Sequence, residues 1–130
     1  MLQIAYMNNF KNQPTLLLAG DASAVNALFE LFSFWHGEQL DVVKYMEAKI
    51  KLHLSGIRGL MLVRSFTAIE SEFELRNDLG TWNISEPMQT TIADLLLSLG
   101  ECGVAAHQYL DSGRSGIRIL CSMNEYSVPI

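Results

Sequence analysis

The chain has 130 residues, of which 49% are hydrophobic, 18% charged and 9% aromatic. That length and composition fit one packed domain over residues 1–130 and exclude a disordered or low-complexity chain, because about two-thirds of the unfolded surface can be buried at this size without a disulfide or a structural metal. A formal net charge of −5 opposes the phosphate attraction on which nucleic-acid binders depend, so direct DNA or RNA binding is not expected.

The alternation of Leu2, Ile4 and Tyr6 predicts a first strand, the polar run from Asn8 to Pro14 a turn, and Thr15 to Ala19 a second, apolar strand. Gly20-Asp21 then opens a helix with Asp21 as N-cap, and Gly37 follows its last turn. Ser23, Asn26, Glu30 and Ser33 form one narrow polar stripe on this helix. Val25, Leu28, Phe29, Phe32 and Trp35 make one apolar face, and Ala24, Ala27, Leu31 and Phe34 make a second, whereas a surface helix usually carries a single stripe. Two covers would satisfy the second face: the following segment, residues 38–47, or a second copy of the chain. The latter makes Ala27, Leu31 and Phe34 candidate homodimer contacts.

From Ala48 the period becomes two, with Ile50, Leu52 and Leu54 alternating with Lys49, Lys51 and His53, as in a strand with one wet face. Gly56 to Gly59 turns the chain into a more central strand, Leu60 to Val63. Phe73 and Leu75 match Trp82 and Ile84 across a turn at Asn77 to Gly80, which completes an expected meander of about four strands. Ser85-Glu86-Pro87 caps and opens a second helix, whose Met88, Ile92, Leu95, Leu96 and Leu99 share a face up to Gly100. Val104 to Leu110 and Ile117 to Cys121 close the chain as a pair of strands. The order β-β-α-β-β-β-β-α-β-β has too few helices between strands for an all-parallel sheet, so the expected fold is α+β: a mostly antiparallel sheet with two main helices packed on it.

The N-terminal residues lack the basic and apolar regions of a secretion signal, and no apolar run is long enough to span a bilayer, so the expectation is a cytoplasmic chain with no membrane contact. Cys102 and Cys121 belong to no Cys-x-x-Cys pair and read as reduced, packed thiols. His36, His53 and His107 are too scattered for metal ligation, and nucleotide-binding, metalloprotease and serine-hydrolase motifs are missing from the sequence. No metal, no cofactor and no catalysis are expected. The alternative from another class is a small hydrolase or ligand-binding domain with a pocket near His107, Tyr109 and Arg114; the run Ser112 to Gly116 reads first as a turn between two strands and second as a set of donors for an anion. A structural adaptor is a third reading.

Charge placement says more than the total. Residues 70–111 hold eight carboxylates against the single base Arg76. The densest point is Glu70-Ser71-Glu72-Phe73-Glu74, where alternation places three carboxylates on one strand face about 6.5 to 7 Å apart, with Asp78 in the turn that follows. Such a row is either a solvated face that blunts edge-to-edge pairing or a binding surface, and its extended spacing does not converge on a metal ion.

The C-terminal half carries Trp82-Asn83-Ile84-Ser85, then Glu86-Pro87, His107-Gln108-Tyr109-Leu110-Asp111 and Ser122-Met123-Asn124-Glu125-Tyr126. Over about residues 73–126 this resembles small bacterial immunity proteins of the polymorphic or contact-dependent toxin systems. The resemblance implies a protein-binding inhibitor that neutralises a cognate toxin domain by stoichiometric binding, without turnover; it assigns no contact residue. Many toxin domains are basic nucleases, which an acidic protein can occupy through long-range complementarity. The candidate partner-binding residues are accordingly Glu70, Glu72, Glu74 and Asp78.

Overall fold

The computed structural model describes residues 1–66, 71–111 and 116–125. The fold is α+β, and the strands form two mixed sheets. β1 (Leu2–Phe10) and β2 (Gln13–Gly20) form the expected hairpin, longer than the sequence pattern indicates. Its two-residue turn is Lys11-Asn12, both with positive φ, the geometry that matches the twist of paired strands. α1 (Ala22–Phe34) starts where expected: the Asp21 carboxylate accepts from the Ala24 backbone N–H at 2.9 Å. The segment expected to cover α1 makes a short strand, β3 (Gln39–Asp41), and a short helix, α2 (Val42–Glu47), which contacts α1 and buries Val42 and Met46 in the same cluster as its apolar residues.

The expected four-strand meander does not form. β4 (Leu52–Ser55) pairs in parallel with β1 at the edge of the first sheet, whereas β5 (Gly59–Arg64) belongs to the second. Gly56 makes this crossing: its φ is +70°, and a Cβ there would lie 2.4 Å from the Tyr6 carbonyl oxygen, so only glycine passes. Ile57, 5% exposed, then anchors the crossing in the core. β6 (Glu72–Arg76) and β7 (Leu79–Ile84) form the expected hairpin around Asn77-Asp78, both with positive φ, but β7 inserts between β6 and β5 and runs parallel to β5. α3 (Glu86–Glu101) follows its Ser85 cap, and β8 (Ala106–Asp111) and β9 (Arg118–Met123) close the first sheet, with β9 parallel to β2.

The strand orders are therefore β4-β1-β2-β9-β8 and β3-β5-β7-β6. One buried cluster joins them: Leu2, Ile4, Leu16 and Leu18 from the first sheet, Leu60, Leu62 and Trp82 from the second, and apolar residues of all three helices. The Tyr6 and Phe73 rings stack between the sheets at 6.4 Å, and Phe32 meets Trp82 edge-on at 5.5 Å.

α3 packs along α1 and brings Ile92, Leu96 and Leu99 into this core. Ala27 and Leu31 are buried inside one chain, Leu31 completely. The homodimer contact expected at these two residues is thus corrected: both belong to the chain's own buried cluster, together with the inward residues of the two sheets and Val42 and Met46 of α2. Phe34 alone of the three candidates stays outside, 69% exposed. No helix among the described residues is long and apolar enough to cross a membrane.

Candidate functional site

Strand alternation decides which side chains the second sheet offers to solvent. Phe73, Leu60, Leu62, Trp82 and Ile84 point inward and are buried. Their neighbours therefore point outward. Glu72 and Glu74 are exposed on edge strand β6, opposite Asn83 and Thr81 of β7. Met61 and Val63 of β5 continue this face towards Gln39 and Asp41 of β3. The centre is half-buried and mixed in polarity, and the two edges carry carboxylates. A hollow of about 160 Å³ lies where Asp41, Met61, Leu79 and Thr81 meet.

The structure places Glu72 and Glu74 along edge strand β6 and Asp78 in the turn that follows it, and gives them unequal freedom. Glu74 lies 4.0 Å from the Arg76 guanidinium, an exposed pair that partly neutralises it. Asp78 sits in the left-handed turn, where Arg58 donates its backbone N–H to the Asp78 carbonyl (2.8 Å) and its Nε–H to the Asn77 carbonyl (3.1 Å). Arg58 thus braces the turn through its backbone carbonyls. Neither Glu72 nor the Asp78 carboxylate has an ion pair among the described residues. Glu70 lies outside the described residues.

The second expected location gives a different constellation. His107, on edge strand β8, places Nδ1 3.1 Å from both carboxylate oxygens of Glu125, and the Ser122 hydroxyl donates to Glu125 Oε1 at 2.6 Å. The Ser122 hydrogen bond, the His107 hydrogen bond and the charges of His107 and Lys11 hold the Glu125 carboxyl below its ordinary pKa, against a smaller opposing effect of burial. Glu125 is the hub, and the buried serine commits its proton to the carboxylate instead of to the imidazole. That geometry clamps β8 to the end of β9 and does not form a Ser–His relay. Tyr109 packs edge-on against His107, and Asp111 accepts from the buried Ser71 hydroxyl at 2.5 Å. Arg114 and its Ser112–Ser115 loop lie outside the described residues.

The two cysteines differ. Cys121 is fully buried, and desolvation pushes its thiol up to about 12, whereas Cys102 is exposed and not packed as expected. Among the described residues no group of three or more His, Cys, Asp or Glu side chains is placed to hold a metal ion.

A third feature has no sequence motif. Where α1 ends, β5 ends and α3 begins, a cleft of about 420 Å³ opens between His36, Glu38, Arg64, Phe66, Glu86 and Pro87. Arg64 stacks on the Trp35 ring at 4.0 Å and donates to Gln89 Oε1 at 2.6 Å, while Gln89 donates in turn to the Phe32 and Trp35 carbonyls at the end of α1. The four residues come from three separate elements, so spacing along the chain gives no sign of their meeting. Comparison with known protein families, curated proteins and solved structures finds no match to this chain.

Proposed function

We infer that the chain is a protein-binding inhibitor of the toxin-immunity kind, which acts in the cytoplasm by covering a basic surface of a cognate toxin domain with the outer face of its second sheet. The observation that carries this reading is the open face itself: four strands wide, with a half-buried centre and exposed carboxylates at Glu72 and Glu74 on its edge. A mixed centre with a charged rim is the usual composition of a protein interface. These exposed carboxylates, Glu72 above all, supply attraction at long range. Inhibition then needs occupancy and no chemistry, which suits a face without a reactive group.

The test is capture of a partner from the native host by the parent chain, by Glu72→Lys/Glu74→Lys and by Glu30→Lys. The expected result is a basic protein retained by the parent and by the Glu30 variant, lost by the double variant, and inhibited by the parent at equimolar ratio. Equal capture by all three variants, or a captured enzyme that stays fully active, would overturn the reading.

A further inference from the structure

The cleft at the α1, β5 and α3 junction is lined by Phe66, at 82% the most exposed large apolar side chain among the described residues. Trp35 lines an adjoining hollow of about 320 Å³. The two hollows share His36, Glu86 and Pro87 as walls. Aromatic groups at the lip of a concave site are the common anchors of protein recognition.

Charge decides what can enter. α3 begins here, and a helix N-terminus attracts anions through its free N–H groups. In this helix, however, Ser85 Oγ already accepts from the Met88 N–H, and Pro87 has no N–H to offer. The carboxylates of Glu38 and Glu86 stand at the cleft and repel an anion. Arg64, the one guanidinium there, is held against Trp35 and Gln89. The exposed charge at the mouth is therefore negative, above an apolar wall of Phe66 and Pro87.

We propose that this cleft is a second docking surface, for an extended segment of a protein partner in which an apolar residue is flanked by Lys or Arg. The apolar side chain packs on Phe66 and Pro87, and the basic side chains meet Glu38 and Glu86. The proposal involves neither the outer face of the second sheet nor the identity of a toxin, so either can fail without the other.

The probe is the acetylated, amidated peptide Lys-Leu-Lys-Leu-Lys, titrated into the isotope-labelled full chain and followed by amide chemical shifts. The controls are the same peptide with Glu for Lys, the same peptide with Ser for Leu, and inorganic phosphate. Shifts should concentrate at His36, Gly37, Glu38, Phe66 and Glu86 with the basic apolar peptide alone. Phe66→Ala, and separately Glu38→Gln/Glu86→Gln, should weaken binding roughly fivefold or more while leaving the rest of the spectrum folded. The charge-matched variant Glu30→Gln/Glu47→Gln should bind as the parent does. Equal or stronger shifts with the acidic peptide or phosphate would assign the cleft to anions and overturn the proposal, as would shifts located elsewhere or none at all.

Discussion

In the first sheet, β2 is buried on both faces: Leu16 and Leu18 face the main core, while Leu17 and Ala19 join Ala5 and Leu120 in a small second cluster behind it. In the second sheet, β6 and β7 bury Phe73, Trp82 and Ile84 on one side and leave Glu72, Glu74 and Thr81 on the other. The contrast is written in the period of each segment. A strand buried twice reads as an unbroken apolar run, and a strand buried once alternates. The first sheet contributes stability from both sides, and the second leaves one side open to solvent.

The sharpest break of this contrast is within α1, which has the same two kinds of position. Leu31→Asp places an unpaired charge at a fully buried site and should cost about 3–5 kcal/mol, whereas Phe34→Asp, at an exposed one, should change stability by no more than about 0.5 kcal/mol. Thermal unfolding of the two variants reads the difference directly. Between the sheets, Leu17→Asn should cost about 2–4 kcal/mol and Thr81→Asn well under about 1 kcal/mol, although both are outward positions of central strands. Equal losses in denaturant unfolding would mean that the second sheet is covered as well.

Much of this contrast was legible in the sequence. The Asp21 and Ser85 caps, the Asn77-Asp78 hairpin and the exposed polar stripe of α1 follow from local rules and stand where those rules place them. What failed is the partnering of elements distant along the chain. Alternation identifies β4 and β5 as strands but says nothing of the Gly56 crossing that sends them to different sheets, and the insertion of β7 between β5 and β6 leaves no local trace. For the same reason Leu31 reads as available to a second copy: the buried cluster that takes it in is assembled from segments far apart along the chain. The exposed carboxylates were legible as a row, but the brace that Arg58, nineteen residues away, places on the Asn77 carbonyl of their turn was not.

A smaller effect sharpens the inner side of the second sheet. A Cβ at Gly80 would stand 2.8 Å from the Phe73 ring and 2.9 Å from Ile57, so Gly80→Ala must displace buried groups and should cost about 1–3 kcal/mol in chemical unfolding. The least is expected at the rim of the first sheet. Because the folded-state pKa of Glu125 is depressed, its tie to Ser122 and His107 contributes stability above the ordinary carboxyl value of 4.5 and loses it as pH falls through the lowered one. Comparing thermal midpoints of the parent and Glu125→Gln between neutral and acid pH should show this loss in the parent only, at less than about 1 kcal/mol for so exposed a group.

If the open acidic face steers a basic partner, as proposed, the association rate must depend on salt. Salt shortens the Debye length from about 10 Å at 0.1 M to about 3 Å at 1 M, so binding of the captured partner to the parent chain should slow steeply over that range. Glu72→Lys/Glu74→Lys should associate roughly tenfold or more slowly at low salt and lose most of the salt dependence, since steering changes on-rates by about 10 to 10³. Glu30→Lys, on the polar stripe of α1 where Asn26 contacts Glu30 at 3.5 Å, should keep most of both. Identical association rates and salt slopes for the parent and the double variant would contradict the account and leave the acidic strand a solvated edge.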